Sequence, residues 1–201
     1  MAAIVFAVFS PAIFNDFVRW ADDANLLNNT AYRGLSPSHL RWMLTTFHWG
    51  HYQPLAWLSY AMDYRLAGLD PRAAHATNVL LHALNAVLFC LVIAALLRAA
   101  FGKDVSSKPG FWACCGAGAL VFALHPLRVE TVAWASTRGD LLCGAFWMLT
   151  VLAYVSSAAA ETPRRRRNLY LAALGLFLLA LLSRAWAITL PLVLLALDFY
   201  P

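Results

Sequence analysis

The sequence predicts an all-α protein, a polytopic transmembrane helix bundle. Of its 201 residues, 62% are hydrophobic and only 12% are charged, whereas about 25% of the residues of an ordinary soluble domain are charged. Apolar runs long enough to cross a bilayer recur along the chain. The net charge of +5 does not indicate a nucleic-acid partner, because four basic residues form one run, Arg164 to Arg167, beside an apolar segment.

The apolar runs predict about six spans in a single transmembrane domain, 1–201. The first run covers about 14 residues, fewer than the ~20 that a span needs. We interpret it as a short or truncated helix, since no basic region precedes it as in a signal peptide. The predicted spans are 1–14, 73–97, 109–126, 141–160, 169–183 and 185–200.

The stretch 15–72 is not apolar enough to cross a membrane. Its part 40–67 interleaves tryptophans and tyrosines with His48, His51 and Arg65, which predicts one or two helices lying in the membrane interface. The aromatic rings could instead line a site for a sugar or a lipid headgroup.

The basic connections predict the orientation of the spans. One lies at 98–108 and the other at Arg164 to Arg167, with two spans between them. Both therefore lie on the same side, which the positive-inside rule makes cytoplasmic. The stretch 15–72, the loop 125–140 and the turn at Arg184 then share the extracytoplasmic face.

Two adjacent aspartates, Asp22 and Asp23, follow the first run. Neighbouring carboxylates repel each other, which favours a raised pKa on one of them, as a general base or a metal ligand requires. A helix cap followed by a solvated acid explains the same pair.

A polar stripe runs along the span 73–97. His75, Asn78, His82 and Asn85 are spaced i, i+3, i+7, i+10 and share one helix face. In lipid such a stripe must face protein or a watery cavity. Hydrogen bonds between helices are the favoured interpretation, and a metal site is less favoured because no carboxylate joins the stripe.

The loop 125–140 is unusually rich in charge for a connection between apolar runs. Its ionisable residues are His125, Arg128, Glu130, Arg138 and Asp140. A solvated loop with ion pairs would have this composition. So would a site that binds phosphate, because the planar fork of arginine bonds two oxygens at once.

Five segments, in this order and spacing, resemble the membrane domain of the transmembrane and tetratricopeptide-repeat O-mannosyltransferase family, particularly its bacterial relatives. They are WADDANLLNN, GHYQPLAWLSYAMDYRLAGLDP, HATNVLLHALNAVLF, ALHPLRVETVAWASTRGDLL and LLSRAWAITLPLVLLALDFYP. The resemblance implies a partial glycosyltransferase fold of the GT-C type. It also implies a polyprenyl-phosphate sugar donor and an acidic motif in the first extracytoplasmic loop.

The family's acidic motif matches Asp22 and Asp23. Its His-Pro…Glu loop matches the residues His125, Pro126 and Glu130, followed by Arg138 and Asp140. At Arg184 the family often has lysine. The family's membrane domain is usually longer and many members carry tetratricopeptide repeats, which predicts that this chain is a fragment, a split subunit or a reduced relative.

We therefore expect a membrane glycosyltransferase that transfers a sugar to a protein or glycan hydroxyl. Asp22 or Asp23 would deprotonate the acceptor, and Arg138 and Arg184 would hold the donor phosphate. Glu130 and Asp140 would orient the arginines or bind a divalent metal. Whether Asp22 and Asp23 bind a metal is left open by the sequence.

The expected location is a bacterial inner membrane with a periplasmic active face, among membrane lipids and beside a missing C-terminal half or partner subunit. The alternative function is a non-catalytic scaffold or an inactive fragment. A transporter is less favoured, since no matched pair of broken helices occurs.

Overall fold

The structure is a computed structural model that describes residues 1–199. All regular elements within them are helical, so the prediction of an all-α membrane bundle is confirmed. The helices are α1 (Ala2–Phe9), α2 (Pro37–Thr45), α3 (Pro54–Ala67), α4 (Pro71–Phe101), α5 (Phe111–Ala123), α6 (Arg128–Ala133), α7 (Arg138–Ala158), α8 (Pro163–Ser183) and α9 (Leu190–Asp198). Short 3-10 segments extend α1 to Phe14 and precede α7 and α9.

Three helices of the described chain, α4, α7 and α8, are long and apolar enough to cross a membrane, which makes this an integral membrane protein. Three further apolar helices are shorter and cover Ala2–Phe14, Phe111–Ala123 and Ala185–Asp198. With a rise of 1.5 Å per residue, the 13 residues of α5 extend about 20 Å, less than the ~30 Å of a bilayer core. The number of spans therefore stays a prediction.

Several helix ends differ from the sequence boundaries. α8 begins at Pro163, six residues before the predicted span, so the arginine run lies in its first turns. Proline suits the first helical position, and the side chain of Thr162 caps the helix by accepting from the Arg165 N–H. Tyr200, the last residue of the final predicted span, lies outside the described residues.

α4 is the centre of the bundle and packs against α1, α5 and α7. Small residues line these contacts, including Ala83 and Ala86 of α4 and Ala123 of α5, all of them buried. Small side chains let helix backbones approach closely, which favours packing where lipid supplies no hydrophobic driving force.

A second core joins α2 and α3 to the bundle. Its largest member is Trp57, which is fully buried and packs against Trp42 with ring centroids 5.2 Å apart. Tyr32 and Tyr60 pack against the same indole. The aromatic residues of 40–67 thus mainly form a packed core between α2, α3 and the preceding loop.

The polar connections lie at opposite ends of the bundle. At one end Lys103, after α4, lies 3.6 Å from Glu161, before α8. At the other end the aspartate pair, the loop before α7 and the turn after α8 come together. These three segments form the candidate functional site.

Candidate functional site

Asp22 joins the first polar loop to the loop before α7. Its carboxylate is fully buried. Oδ2 accepts from the Val18 N–H at 3.1 Å, and Oδ1 accepts from the Ser136 N–H at 2.9 Å. With a backbone donor on each oxygen, Asp22 holds the two loops together, and the structure brings them into contact.

Asp23 begins a single π-helical turn, Asp23–Leu27, and is half-buried. Its Oδ1 accepts from the Ala24 N–H at 2.8 Å. Among the described residues no hydrogen bond reaches Oδ2. Asp23 is therefore the member of the pair with an oxygen free to accept a proton from a ligand.

Arg184 lies in the turn between α8 and α9, and three side chains fix its position. Its Nε lies 3.2 Å from Asp140 Oδ1, and one terminal nitrogen donates to Gln53 Oε1 at 2.8 Å. The indole N–H of Trp186 donates to the same Asp140 oxygen at 2.8 Å. Arg184 keeps 24% of its side chain exposed, so the other terminal nitrogen can meet an anion.

Gly139 allows this arrangement. A Cβ at this position would lie 2.9 Å from both Gln53 Oε1 and the carbonyl oxygen of Ser183. The first turn of α7 and the end of α8 can therefore approach each other only because residue 139 has no side chain.

His51 forms an isolated antiparallel bridge with His48. It lies near Arg184 and Asp140. Burial, and then the guanidinium of Arg184, lower the pKa of the His51 imidazole below its usual range, although Asp140 acts in the opposite direction. The lowered pKa favours the neutral form of this ring beside Arg184.

Arg138 does not reach this cluster, contrary to the expected phosphate role. It is fully buried, with its guanidinium 4.7 Å from the centre of the Tyr60 ring. Its acceptors are Asp63 Oδ2 at 2.6 Å, Asn78 Oδ1 at 2.7 Å, the Ala74 carbonyl at 2.7 Å and Ser59 Oγ at 3.0 Å. These contacts occupy the guanidinium and join α3, α4 and α7.

Tyr60 completes this buried network. Its hydroxyl donates to the Ala135 carbonyl at 2.9 Å and accepts from the Arg138 N–H at 3.3 Å. Burial raises the pKa of the phenol well above its usual range, so Tyr60 stays neutral. The network holds the segment from which Ser136 donates to Asp22.

His125 and Glu130 form no hydrogen bond or ion pair with the cluster among the described residues. Both are exposed, and the imidazole Nδ1 of His125 accepts from the Leu127 N–H at 3.2 Å, in the turn before α6. The structure does not bring either residue to Arg184, and their roles stay predictions.

The polar stripe of α4 is buried along its whole length. Asn78 donates to the Trp134 carbonyl at 3.0 Å, His82 Nε2 contacts the Ala123 carbonyl at 2.9 Å, and Asn85 donates to the Leu141 carbonyl at 2.9 Å. His75 is buried without a hydrogen-bond partner among the described residues. The stripe thus packs inside this chain.

Arg128, one of the charged residues of the loop 125–140, lines a cleft of about 400 Å³ between α4, α5 and α7. Its guanidinium lies 4.4 Å from the centre of the Phe122 ring. Asp140 and Trp186 line the same cleft, which therefore reaches the Arg184 cluster. The sequence feature that could have indicated this position is the location of Arg128 in the charged loop, three residues after His125.

The described residues contain no group of three or more His, Cys, Asp or Glu side chains that could hold a metal ion. Asp22 and Asp23 therefore belong to no such group in this arrangement.

Comparison with curated proteins finds several similar ones. Protein O-mannosyl-transferase tmtc2 of Xenopus laevis is 36% identical over 110 residues, which are 55% of this chain and 12% of that protein. This chain is similar to protein O-mannosyl-transferases. Protein O-mannosyl-transferase TMTC4 of Homo sapiens is 28% identical over 169 residues, 77% of this chain. Protein O-mannosyl-transferase Tmtc3 of Drosophila melanogaster is 32% identical over 125 residues.

The similarity covers a small part of each relative. The matched segment is 12% of the frog protein, 14% of the fly protein and 22% of the human protein. These relatives come from animals, so the prediction of a bacterial protein stays a prediction. No family model matches the chain, and no solved structure matches it.

Proposed function

We propose that this chain forms part of a membrane glycosyltransferase that transfers a hexose, such as mannose, from a polyprenyl-phosphate donor to a hydroxyl of a protein or glycan. The hydrogen bond between Asp22 and the Ser136 N–H carries the proposal. It joins the loop that carries Asp22 and Asp23 to the loop that leads into the Arg184–Asp140 pair. The names of the relatives support a mannosyl group and a protein acceptor.

Asp23 is the base in this proposal. Its free oxygen takes the proton of the acceptor hydroxyl, whose oxygen forms a bond to the anomeric carbon of the sugar. The bond between that carbon and the donor phosphate breaks, and its electron pair leaves on the polyprenyl phosphate. Asp22 is a positioning residue in this proposal, because it is fully buried and its oxygens accept from backbone N–H groups of the two loops that it joins.

Arg184 stabilises the leaving phosphate. Asp140 and Gln53 fix its guanidinium before the ligand arrives, so the developing negative charge meets a donor that needs no rearrangement. Of the two arginines to which the sequence assigned the donor phosphate, Arg184 keeps this role in the proposal, since Arg138 bonds its buried acceptors.

We further propose that this face is extracytoplasmic, and periplasmic in a bacterial inner membrane. The basic residues at the opposite end of the bundle support this orientation, including Lys103 and the arginine run at the start of α8. Membrane lipids surround the long helices, and a further segment or subunit contributes to the complete enzyme.

The test is transfer of labelled mannose from polyprenyl-phosphate mannose in membranes that contain the full chain. Replacing the proposed base, Asp23→Asn, should lower the rate by at least about 100-fold, the usual contribution of a general base. The matched control is Asp104→Asn, an exposed aspartate at the opposite end, which should transfer at the unaltered rate.

An unaltered rate in Asp23→Asn would remove the residue from the mechanism. A chain that inserts correctly but transfers no sugar would favour the alternative, a scaffold or an inactive fragment. Insertion is checked separately, by the protection of the two ends of the bundle from a membrane-impermeant reagent.

A further inference from the structure

The end of the bundle opposite the candidate functional site carries an excess of positive charge. The four arginines Arg164 to Arg167 are exposed, and within the described residues their side chains form no hydrogen bond or ion pair. They lie in the first turns of α8, where the helix dipole disfavours cations as well. Because the described chain supplies no counter-charge to this run, an anion from outside would stabilise it.

The arginine run divides into two pairs. Arg166 and Arg167 line a groove of about 430 Å³ that the start of α8 forms with the ends of α7 and α9; we call it the arginine groove. Arg164 and Arg165 line a separate hollow with Thr162. Successive residues of a helix point about 100° apart, so the run presents one pair of cations to the arginine groove and the other pair elsewhere.

A second groove adjoins the first and contains two more cations. It has a volume of about 570 Å³, lies between the ends of α4, α7 and α9, and is lined by Arg98 and Lys103; we call it the lysine groove. The Arg98 guanidinium lies 5.4 Å from the centre of the Trp112 ring, which restricts its position. Lys103 lies 3.6 Å from Glu161, but both side chains are exposed and such a pair contributes little, so the ammonium can exchange this partner for another anion.

The two grooves meet at one pair of side chains. Tyr154 and Asp198 line both grooves, and the Tyr154 hydroxyl donates to Asp198 Oδ1 at 2.8 Å. The carboxylate repels a phosphate placed at this junction, so phosphates are expected on either side of it, one beside each pair of cations. The wall of the lysine groove is otherwise largely apolar and includes Leu96, Val155 and Leu197. Cations beside an apolar wall suit an anionic headgroup that carries acyl chains.

We propose that the two grooves together bind one phospholipid that has two phosphate groups. One phosphate lies beside Arg98 and Lys103, the other lies beside Arg166 and Arg167, and an acyl chain follows the apolar wall of the lysine groove. Four cations against the single carboxylate of Asp198 make the grooves complementary in charge to such a headgroup. The lipid is bound and not consumed, so its site is independent of the proposed transfer reaction.

The experiment measures lipid binding to the purified full chain by native mass spectrometry from detergent micelles. The probes are cardiolipin with two phosphates, phosphatidylglycerol with one, and phosphatidylcholine, whose headgroup is neutral overall. Cardiolipin should bind at least about tenfold more tightly than phosphatidylglycerol, because its second phosphate meets a second pair of cations. Equal affinity for these two lipids would overturn the assignment of two phosphates, and equal affinity for all three would overturn an anionic-lipid site. Inorganic phosphate should not displace cardiolipin, and displacement would indicate a site for a soluble anion instead.

Matched arginine variants separate a defined site from general attraction between opposite charges. Arg166→Gln/Arg167→Gln removes both cations of the arginine groove and should weaken cardiolipin binding about 10- to 30-fold. The control Arg164→Gln/Arg165→Gln removes the same charge from the same turns of α8 but outside the grooves, and should weaken binding less than about threefold. All four arginines are exposed, so neither variant disturbs the packing of the bundle.

Two exposed lysines give the same comparison for the lysine groove. Lys103→Gln should weaken cardiolipin binding about fivefold. Lys108→Gln removes an equal charge at the same end of the bundle, but Lys108 does not line either groove, and its loss should change the affinity less than about twofold. Equal losses for each variant and its control would overturn the proposal, because the lipid would then respond only to the net charge of this end.

Discussion

Removal of one partner from the buried Arg138–Asp63 pair should destabilise the protein strongly. The pair is short, 2.6 Å, and the side chains are 0% and 17% exposed. Asp63→Asn leaves the guanidinium of Arg138 buried without a counter-charge, although its neutral acceptors remain. Breaking a buried pair in this way costs about 3–5 kcal/mol, and the partial exposure of Asp63 favours the lower figure, about 3 kcal/mol.

The assay is reversible unfolding of the purified protein in mixed micelles of mild detergent and dodecyl sulfate. The double variant Arg138→Met/Asp63→Leu should recover much of the loss, because it removes both charges. The matched control is Glu161→Gln, which breaks the exposed pair with Lys103 and should change the stability little. A free energy of unfolding for Asp63→Asn within about 0.5 kcal/mol of wild type would refute the reasoning, since that is the scale of an exposed pair.

Three further changes test the surroundings of the site. Tyr60→Phe removes a buried donor to the Ala135 carbonyl and should cost about 1–2 kcal/mol in the same unfolding assay. Gly139→Ala introduces a Cβ 2.9 Å from Gln53 Oε1 and should lower the midpoint of thermal unfolding, an overpacking cost of about 1–3 kcal/mol; an unaltered midpoint would contradict the close approach. The lowered pKa of His51 means that the unfolded chain takes up a proton more readily, so wild-type stability should fall more steeply than that of His51→Gln between pH 7 and pH 5; parallel pH profiles would contradict this.

Periodicity predicted the part of the site that lies on one long helix. The spacing of His75, Asn78, His82 and Asn85 placed them on one face of α4, and the structure buries all four. A regular helix converts spacing directly into position. The same reasoning could not identify which of their atoms lack a partner, because that depends on Leu141 and Ala123, supplied by other helices.

The roles of the arginines could not be read from the sequence. The position of Arg138 in a charged loop is typical of a solvated residue. In the structure Arg138 is buried and bonds Asp63, 75 positions earlier in the chain. Arg128 and Glu130 are two positions apart, yet one lines the cleft and the other is exposed. A helix of six residues is too short for a periodic pattern to assign its faces.

The bond between Asp22 and the Ser136 N–H joins residues 114 positions apart. During synthesis the loop with the aspartate pair leaves the ribosome first, and its partner is made only after α4, α5 and α6. Contacts with such large sequence separation form late, since the entropy of closing the intervening chain must be overcome first. The loop that carries the aspartate pair therefore reaches the geometry seen in the structure only after most of the bundle has been made, and shorter nascent chains expose a loop without its partner.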